Sequence, residues 1–579
     1  MHPLEWYFIN EHTTMKIIQF SLLLLFSPFV LANTAQQKAI DKIFLNWDKT
    51  DAPGAGVGVF QDGKIIYAGG YGMANLEYDI PIDANSVFRI GSTSKQFTAA
   101  CIVLLAEQGK LKLTDSLHSF FPAFPDYAKD ITVQQLLNHT SGVRDYLTLS
   151  YLKGYGDEDY YEDKDVMQWL THQTELNFAP GEENLYSNSG YWILGQIVKK
   201  VAGMDMAVYA EKELFKPLGM HHTHFHNNHK AIVKNRASGY VPIGDAGTED
   251  QNYQISMTTL NMIGDGGIFT TINDIKKWDD AFYDSKVLSR KFWQQMTAEG
   301  ELNNGEKTGY ASGLVIEKYK GLNAISHGGA FAGFRAELIR FPEQKFTVAV
   351  FANRGDANPT TMAFKVADVF LKDDFKTESP VVDSAETNTA TSTDEDIETP
   401  VTAAPLAYLV GDYQLEPGIK LKVSVQNETL HAYQVWNEKE YDFEPAAIAA
   451  NSFLIVGDSD FLFTFADFEN NQAQVINLKR SSGSSAWNRV EEVDTSAVKL
   501  PDFVGDYYSQ ELDVLYQIKL KDDALTVHVG NNDPIPLKVS AIDQLSIQGM
   551  IADFSRQEDL ITGFKLSAGR VKNLVFSKK

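Results

Sequence analysis

The sequence predicts an α+β chain in which an antiparallel sheet flanked by helices is followed by two small all-β, barrel-like modules. Three observations carry that expectation. Residues 57–67 hold two apolar alternating runs joined through Asp62-Gly63, a hairpin signal. A greasy helical stretch follows, and further strand-like runs return at 336–341 and 346–351. A Val-Gly-Asp-Tyr segment occurs twice in the last third, ending at Tyr413 and at Tyr507, each time ahead of period-2 runs.

Length and charge bound what this chain does. At 579 residues it is too long for one ordinary domain. Apolar and charged contents of 44% and 22% are those of a globular protein with ample core. The formal net charge of -25 argues against nucleic acid and anionic membrane surfaces as partners. The single cysteine, Cys101, forms no intramolecular disulfide and reads as a small buried hydrophobe. Residues 1–32 read as a signal peptide: Met15-Lys16, an apolar run, then Val30-Leu31-Ala32. The mature protein is therefore expected to be periplasmic or secreted, with no transmembrane anchor after signal removal.

The stretch 88–109 organises the first unit, residues 33–375. From Ser94 it reads as a helix ending at Gly109, a residue suited to a helix C-terminus. Phe97, Ala100, Cys101, Leu104 and Leu105 make one helical face, and Ala99, Ile102, Val103 and Ala106 are apolar too, so the helix is expected to be buried. Ser92 and Lys95 lie three apart at its mouth. Burial and the helix dipole would both favour a neutral Lys95 able to take the Ser92 proton. Ser-x-x-Lys by itself is weak, since about one or two copies arise by chance in a chain this long. Further on, Thr271-Ile-Asn-Asp274 resembles a capping box, and a helix is expected over 190–201. The aromatic, acidic segment 146–161 reads as a surface excursion near a site entrance.

Residues 376–404, rich in Thr, Ser, Glu, Asp and Pro, read as a solvated acidic linker. The β-modules are placed at 405–495 and 500–579, and neither carries an obvious catalytic constellation.

Three polar groupings occur in order: Ser92-x-x-Lys95, Tyr186-x-Asn188 and His327-Gly328-Gly329. With the flanks Phe88-Arg-Ile-Gly, Leu137-Asn-His-Thr-Ser-Gly, Pro180-Gly-Glu and Gly264-Asp-Gly-Gly-Ile, the region of about 40–375 resembles the class C β-lactamase and penicillin-binding serine hydrolase superfamily. The two trailing modules make the architecture most similar to D-stereospecific aminopeptidases, which carry two barrels behind the hydrolase domain. The resemblance implies a β-lactamase/transpeptidase-like fold, no cofactor and no metal. Ser92 becomes the nucleophile, with Lys95 and Tyr186 sharing the proton work. A tyrosine ionises near pH 10 and so needs a cation beside it. Asn188 would hold Lys95 and the acyl amide. The backbone N–H groups of Ser92 and Ala330 would form the oxyanion hole, with Gly328 and Gly329 admitting substrate to the strand edge.

The third motif departs from the pattern. Where β-lactamases of this class have Lys-Thr-Gly, this chain has His327-Gly-Gly, which loses a hydroxyl and makes the cation conditional on pH. A free carboxylate there loses roughly one charged hydrogen bond, on the order of 1.5–3 kcal/mol. The expectation is an exported serine hydrolase acting on D-amino-acid peptides, amides or small esters. The alternatives are a β-lactamase or D-Ala-D-Ala carboxypeptidase, and, from another class, a non-catalytic protein binding cell-wall peptides or β-lactams. His139 is expected to be a structural turn residue. His222, His224 and His226 share a face in strand conformation, but no cysteine or supporting pattern accompanies them, so no metal site is assigned. A loop of the first module around 431–441, with Tyr433, Trp436 and Tyr441, is expected at the active-site mouth.

Overall fold

The computed structural model describes residues 34–376 and 405–579, apart from short breaks at 157, 245–251, 417–418, 436–438, 447–450, 457, 481–482 and 492–493. The expected signal peptide and nearly all of the expected acidic linker lie outside the described residues, as does Trp436.

Six antiparallel strands form the central sheet, in the order Val315–Tyr319, Leu322–Phe331, Phe334–Phe341, Phe346–Ala352, Ala55–Gln61 and Lys64–Tyr71. The Asp62-Gly63 hairpin is present, both residues taking the positive φ that a tight two-residue turn requires (49° and 73°). One face of the sheet is covered by the helices Thr34–Phe44 and Pro359–Leu371, which close a core of Ile40, Phe44, Val348, Val350 and Phe364. The other face carries the helix Lys95–Glu107, buried from Lys95 to Leu105, because apolar side chains surround it on all sides. Packed beside it are Asn188–Ala202 and Ile272–Tyr283, the latter capped by Thr271 Oγ1 accepting from Asp274 N at 3.1 Å.

Two closed eight-stranded antiparallel barrels follow, spanning 411–490 and 505–578. The second barrel shares one continuous apolar core with the helical side of the hydrolase unit, whereas the first has a core of its own. The segment after Tyr146 is the seam. It forms the helix Tyr146–Leu152 rather than a surface excursion, and Tyr146 and Tyr161 are buried. Its C-terminal end receives Tyr516 Oη at the Leu152 carbonyl (2.8 Å) and Asn532 Nδ2 at the Gly154 carbonyl (2.8 Å). Among the described residues no helix is long and apolar enough to cross a membrane.

Candidate active site

The site forms where a one-turn 3-10 segment, Gly91–Ser94, meets the strand Leu322–Phe331. Two glycines allow this approach. Gly91 has φ 50°, and a Cβ there would lie 2.7 Å from the Ala330 nitrogen; a Cβ on Gly329 would fall 2.0 Å from the Ile90 oxygen. Thr93 Oγ1 locks the pair by donating to the His327 carbonyl (3.0 Å). The outer strand Val315–Tyr319 pairs only as far as Ser326, so 327–331 keeps one edge that no strand covers. A cleft of about 610 Å³ opens there, lined by Ser92, Tyr186, Asn188, Gly328, Gly329 and Ala330 among others.

Lys95 lies fully buried beneath it. Its Nζ is 2.9 Å from Asn188 Oδ1, 2.7 Å from the Asp265 carbonyl and 3.2 Å from Ser92 Oγ. The two carbonyl oxygens can only accept, so they take two N–H bonds, and the third direction on nitrogen faces the serine hydroxyl. The Tyr186 ring stands over the same nitrogen, its centroid 4.7 Å from Nζ.

The segment 143–146 holds the loop that carries Tyr186 and Asn188. Asp145 Oδ1 caps the helix Tyr146–Leu152, while its Oδ2 accepts from Asn188 N at 2.6 Å. Ser187 Oγ donates to the Val143 carbonyl and Ser189 Oγ to that of Arg144. His139 does more than turn the chain. Its φ is 59°, and its Nδ1 accepts from Ser187 N (3.1 Å). Its ring packs 4.3 Å from that of Tyr186. Burial, reinforced by the Lys95 charge, holds it neutral with a pKa well below the ordinary histidine value.

His327 differs from the expectation of a pH-conditional cation in the cleft. Its ring is buried on the helical face of the strand against Tyr310, with Nε2 2.9 Å from Tyr310 Oη and Nδ1 2.6 Å from the Gly328 oxygen. Burial, then Lys95, pushes its pKa down to about 3, so it is neutral at physiological pH. Gly328 has a steric reason: a Cβ there would lie 3.1 Å from Glu337 Oε2 on the neighbouring strand. Glu337 is buried, receives Thr360 Oγ1 at 2.6 Å, and desolvation raises its pKa to about 8. A carboxyl that burial pushes toward its neutral form thus lies beside Gly328. His224 Nε2 and His226 Nδ1 lie 3.1 Å apart, and among the described residues no group of three metal-ligating side chains forms.

Several residues at the site carry no local sequence signal. Tyr146 donates to Asp265 Oδ2 (2.9 Å), and burial raises the Asp265 pKa. Tyr310 backs His327. The expected barrel contribution also comes from a different place. It is the second barrel that reaches the cleft, through the turn at 569–573, and no described residue of 431–441 is among the lining. Arg570 lines the cleft with its guanidinium carbon 4.7 Å from the Tyr186 ring centroid. His431 instead pairs with Asp442 on the adjacent strand of its own barrel (2.9 Å).

The family model described as Beta-lactamase matches residues 38–369. Penicillin-binding protein 4* of Bacillus subtilis (strain 168) is 28% identical over 383 residues, 64% of this chain and 81% of that protein. D-aminopeptidases of Gluconobacter oxydans (strain 621H) and Brucella anthropi are 24% and 26% identical over 307 and 321 residues, 53% and 55% of this chain. The match spans 56% and 59% of those two proteins' own length. In fold, the octameric penicillin-binding protein homologue from Pyrococcus abyssi superposes with a TM-score of 0.54 at 22% identity, over 78% of this chain and 99% of that one. The chain belongs to the Beta-lactamase family and is a serine hydrolase of that fold.

Proposed function

We propose that the protein is an exported hydrolase that cleaves amide or ester bonds through an acyl-enzyme on Ser92, with D-amino-acid peptides or amides and small esters as its substrates. The observation that carries this reading is the Lys95 nitrogen, 3.2 Å from Ser92 Oγ with its other two hydrogens committed to carbonyl oxygens. As Oγ bonds to the carbonyl carbon, its proton passes to Nζ. The N–H groups of Ser92 and Ala330 receive the oxyanion. Collapse breaks the bond to the leaving group, which takes a proton relayed through Tyr186. Water then attacks the ester, and the same groups run in reverse to release the acid. Asn188 holds Lys95 and, through its amide nitrogen, the acyl amide. The D-amino-acid assignment rests on the aminopeptidases that share the family, and export rests on the leader at 1–32.

An uncharged fluorophosphonate should label wild type on Ser92 and leave Ser92→Ala unlabelled. Lys95→Ala should lose on the order of 10³-fold in kcat/KM on a D-alanyl nitroanilide or nitrophenyl ester. Equal labelling of wild type and Ser92→Ala would discard the mechanism. Stoichiometric uptake without release would instead favour the non-catalytic binding protein.

A further inference from the structure

Arg89 is a buried cation with no hydrogen-bonded anion; only the Asp265 charge, from beyond ion-pair distance, favours it. Arg89 lies just ahead of the nucleophile turn, is 6% exposed, and its Nε has no hydrogen-bond partner. Its guanidinium carbon sits 4.7 Å from the ring centroid of Phe331 and 5.9 Å from that of Phe269. Such stacking tolerates a guanidinium but supplies no acceptor for its N–H groups. A buried charge normally persists only with a hydrogen-bonded partner. Among the described residues no carboxylate lies within ion-pair distance of Arg89, yet Arg89 lines the cleft.

Two further arginines line the same cleft. Arg335, opposite Ala330 on the next strand, lines the cleft as well; its Nη1 donates to the Ala332 and Phe334 carbonyls (2.9 and 2.7 Å). The nearby acid Asp356 is engaged by Arg354 through two bonds (2.8 and 2.6 Å). Arg570 adds a third positive charge to the lining. Against these stands one lining carboxyl, Asp265, which accepts the Tyr146 hydroxyl, has its pKa raised by burial, and acts on Arg89 only from beyond ion-pair distance. Glu337, behind the strand, is driven the same way.

The geometry also says which part of a substrate meets Arg89. Tyr186, the proton relay to the leaving group, stands toward the His327 end of the exposed edge, its ring 6.2 Å from that of His327. The acyl portion therefore runs past Ala330 toward Phe331, where Arg89 and Arg335 lie. We propose that the cleft selects acidic acyl donors, amides or esters whose acyl portion carries a free carboxylate drawn to the lining arginines Arg89 and Arg335, the first of which has no hydrogen-bonded partner. This inference rests on the hydrolase reading above.

Matched nitroanilides of D-glutamate and D-glutamine test it, since they differ in the side-chain carboxylate alone. In the full-length wild type, kcat/KM should favour the glutamyl substrate by about 10- to 100-fold, the range of one or two charged hydrogen bonds. Arg89→Met and Arg335→Met should each shrink that ratio about 10-fold, and Arg89→Lys should restore part of it. Arg335 is half-exposed, so its variant decides the question if Arg89→Met does not fold. Fluorophosphonate labelling of Ser92 runs alongside. Labelling with a ratio near one, or with the glutaminyl substrate preferred, overturns the acidic-acyl inference and leaves the hydrolase reading standing. Loss of labelling in wild type removes both.

Discussion

In each C-terminal barrel the tyrosine of the Val-Gly-Asp-Tyr repeat closes the same turn: Tyr413 Oη donates to the Leu409 carbonyl at 2.9 Å, and Tyr507 Oη to that of Phe503 at 2.8 Å. Each barrel closes by pairing its first strand with its last. The difference lies outside the barrels. Leu409, Tyr413, Phe443, Phe463 and Trp487 of the first pack only among themselves and their own neighbours. The second barrel inserts Glu511 into the hydrolase unit, where Oε1 meets Arg144 Nη1 (2.9 Å), Thr174 N (2.7 Å) and Thr174 Oγ1 (2.8 Å). Arg144 and Glu511 have side chains 0% and 5% exposed, and Arg144 also reaches the Lys572 carbonyl (2.9 Å). The same strap, 143–146, holds Asn188 and the Tyr186 loop. A repeated barrel has thus been used once as a module with a core of its own and once as part of the wall of the cleft, and what separates the two uses is a shared apolar core together with polar residues at one rim.

Domain removal puts the comparison under the greatest strain. Ending the chain after residue 496 strips one side from a shared apolar core, so Ser92 labelling and ester hydrolysis should fall at least 10-fold, with loss of soluble protein. Excising 405–490 while retaining the second barrel should leave kcat/KM on a small ester within about twofold. Equal effects of the two deletions would show that docking does not matter to the site.

Next in size is the buried ion pair. Glu511→Ala leaves Arg144 charged with neutral partners only, a cost of about 3–5 kcal/mol in chemical unfolding of the hydrolase unit. Arg489→Ala, which removes the bonds from its guanidinium to Val410 and Tyr413 within the first barrel, should alter only that barrel's transition. A hydrolase transition unmoved by Glu511→Ala would demote the rim contact to a packing accident. Tyr516→Phe removes the bond to the Leu152 carbonyl and should cost about 1 kcal/mol, whereas Tyr413→Phe should leave hydrolase stability unchanged. The smallest effect belongs to Lys572→Ala. Its partner Glu183 is 52% exposed, so the pair should contribute less than about 1 kcal/mol, and less again in high salt. A loss above 2 kcal/mol would mean that packing of Lys572 against Phe178 carries the contact.

Local chemistry was enough to read the hairpin at Asp62-Gly63, the buried helix from Lys95, the cap at Thr271 and the period-2 strands of both barrels. Each depends on residues within a few positions of one another, where backbone preference and side-chain period are already decided. Ser92, Lys95, Tyr186 and Asn188 were legible for a related reason: they sit in short motifs whose internal spacing places them on one turn or one loop. The identity of the docked barrel was not legible, since Glu511 and Arg144 are 367 positions apart and neither stands in a motif. Nor was the state of His327 or Glu337. Burial shifts a titratable group by removing water, and which groups lose their water is set by packing across the sheet. The unpaired Arg89 belongs to the same class. Its residue type is plain in the sequence, but the absence of a carboxylate within ion-pair distance is a property of every element that closes on the site, and the tertiary structure alone assembles those elements.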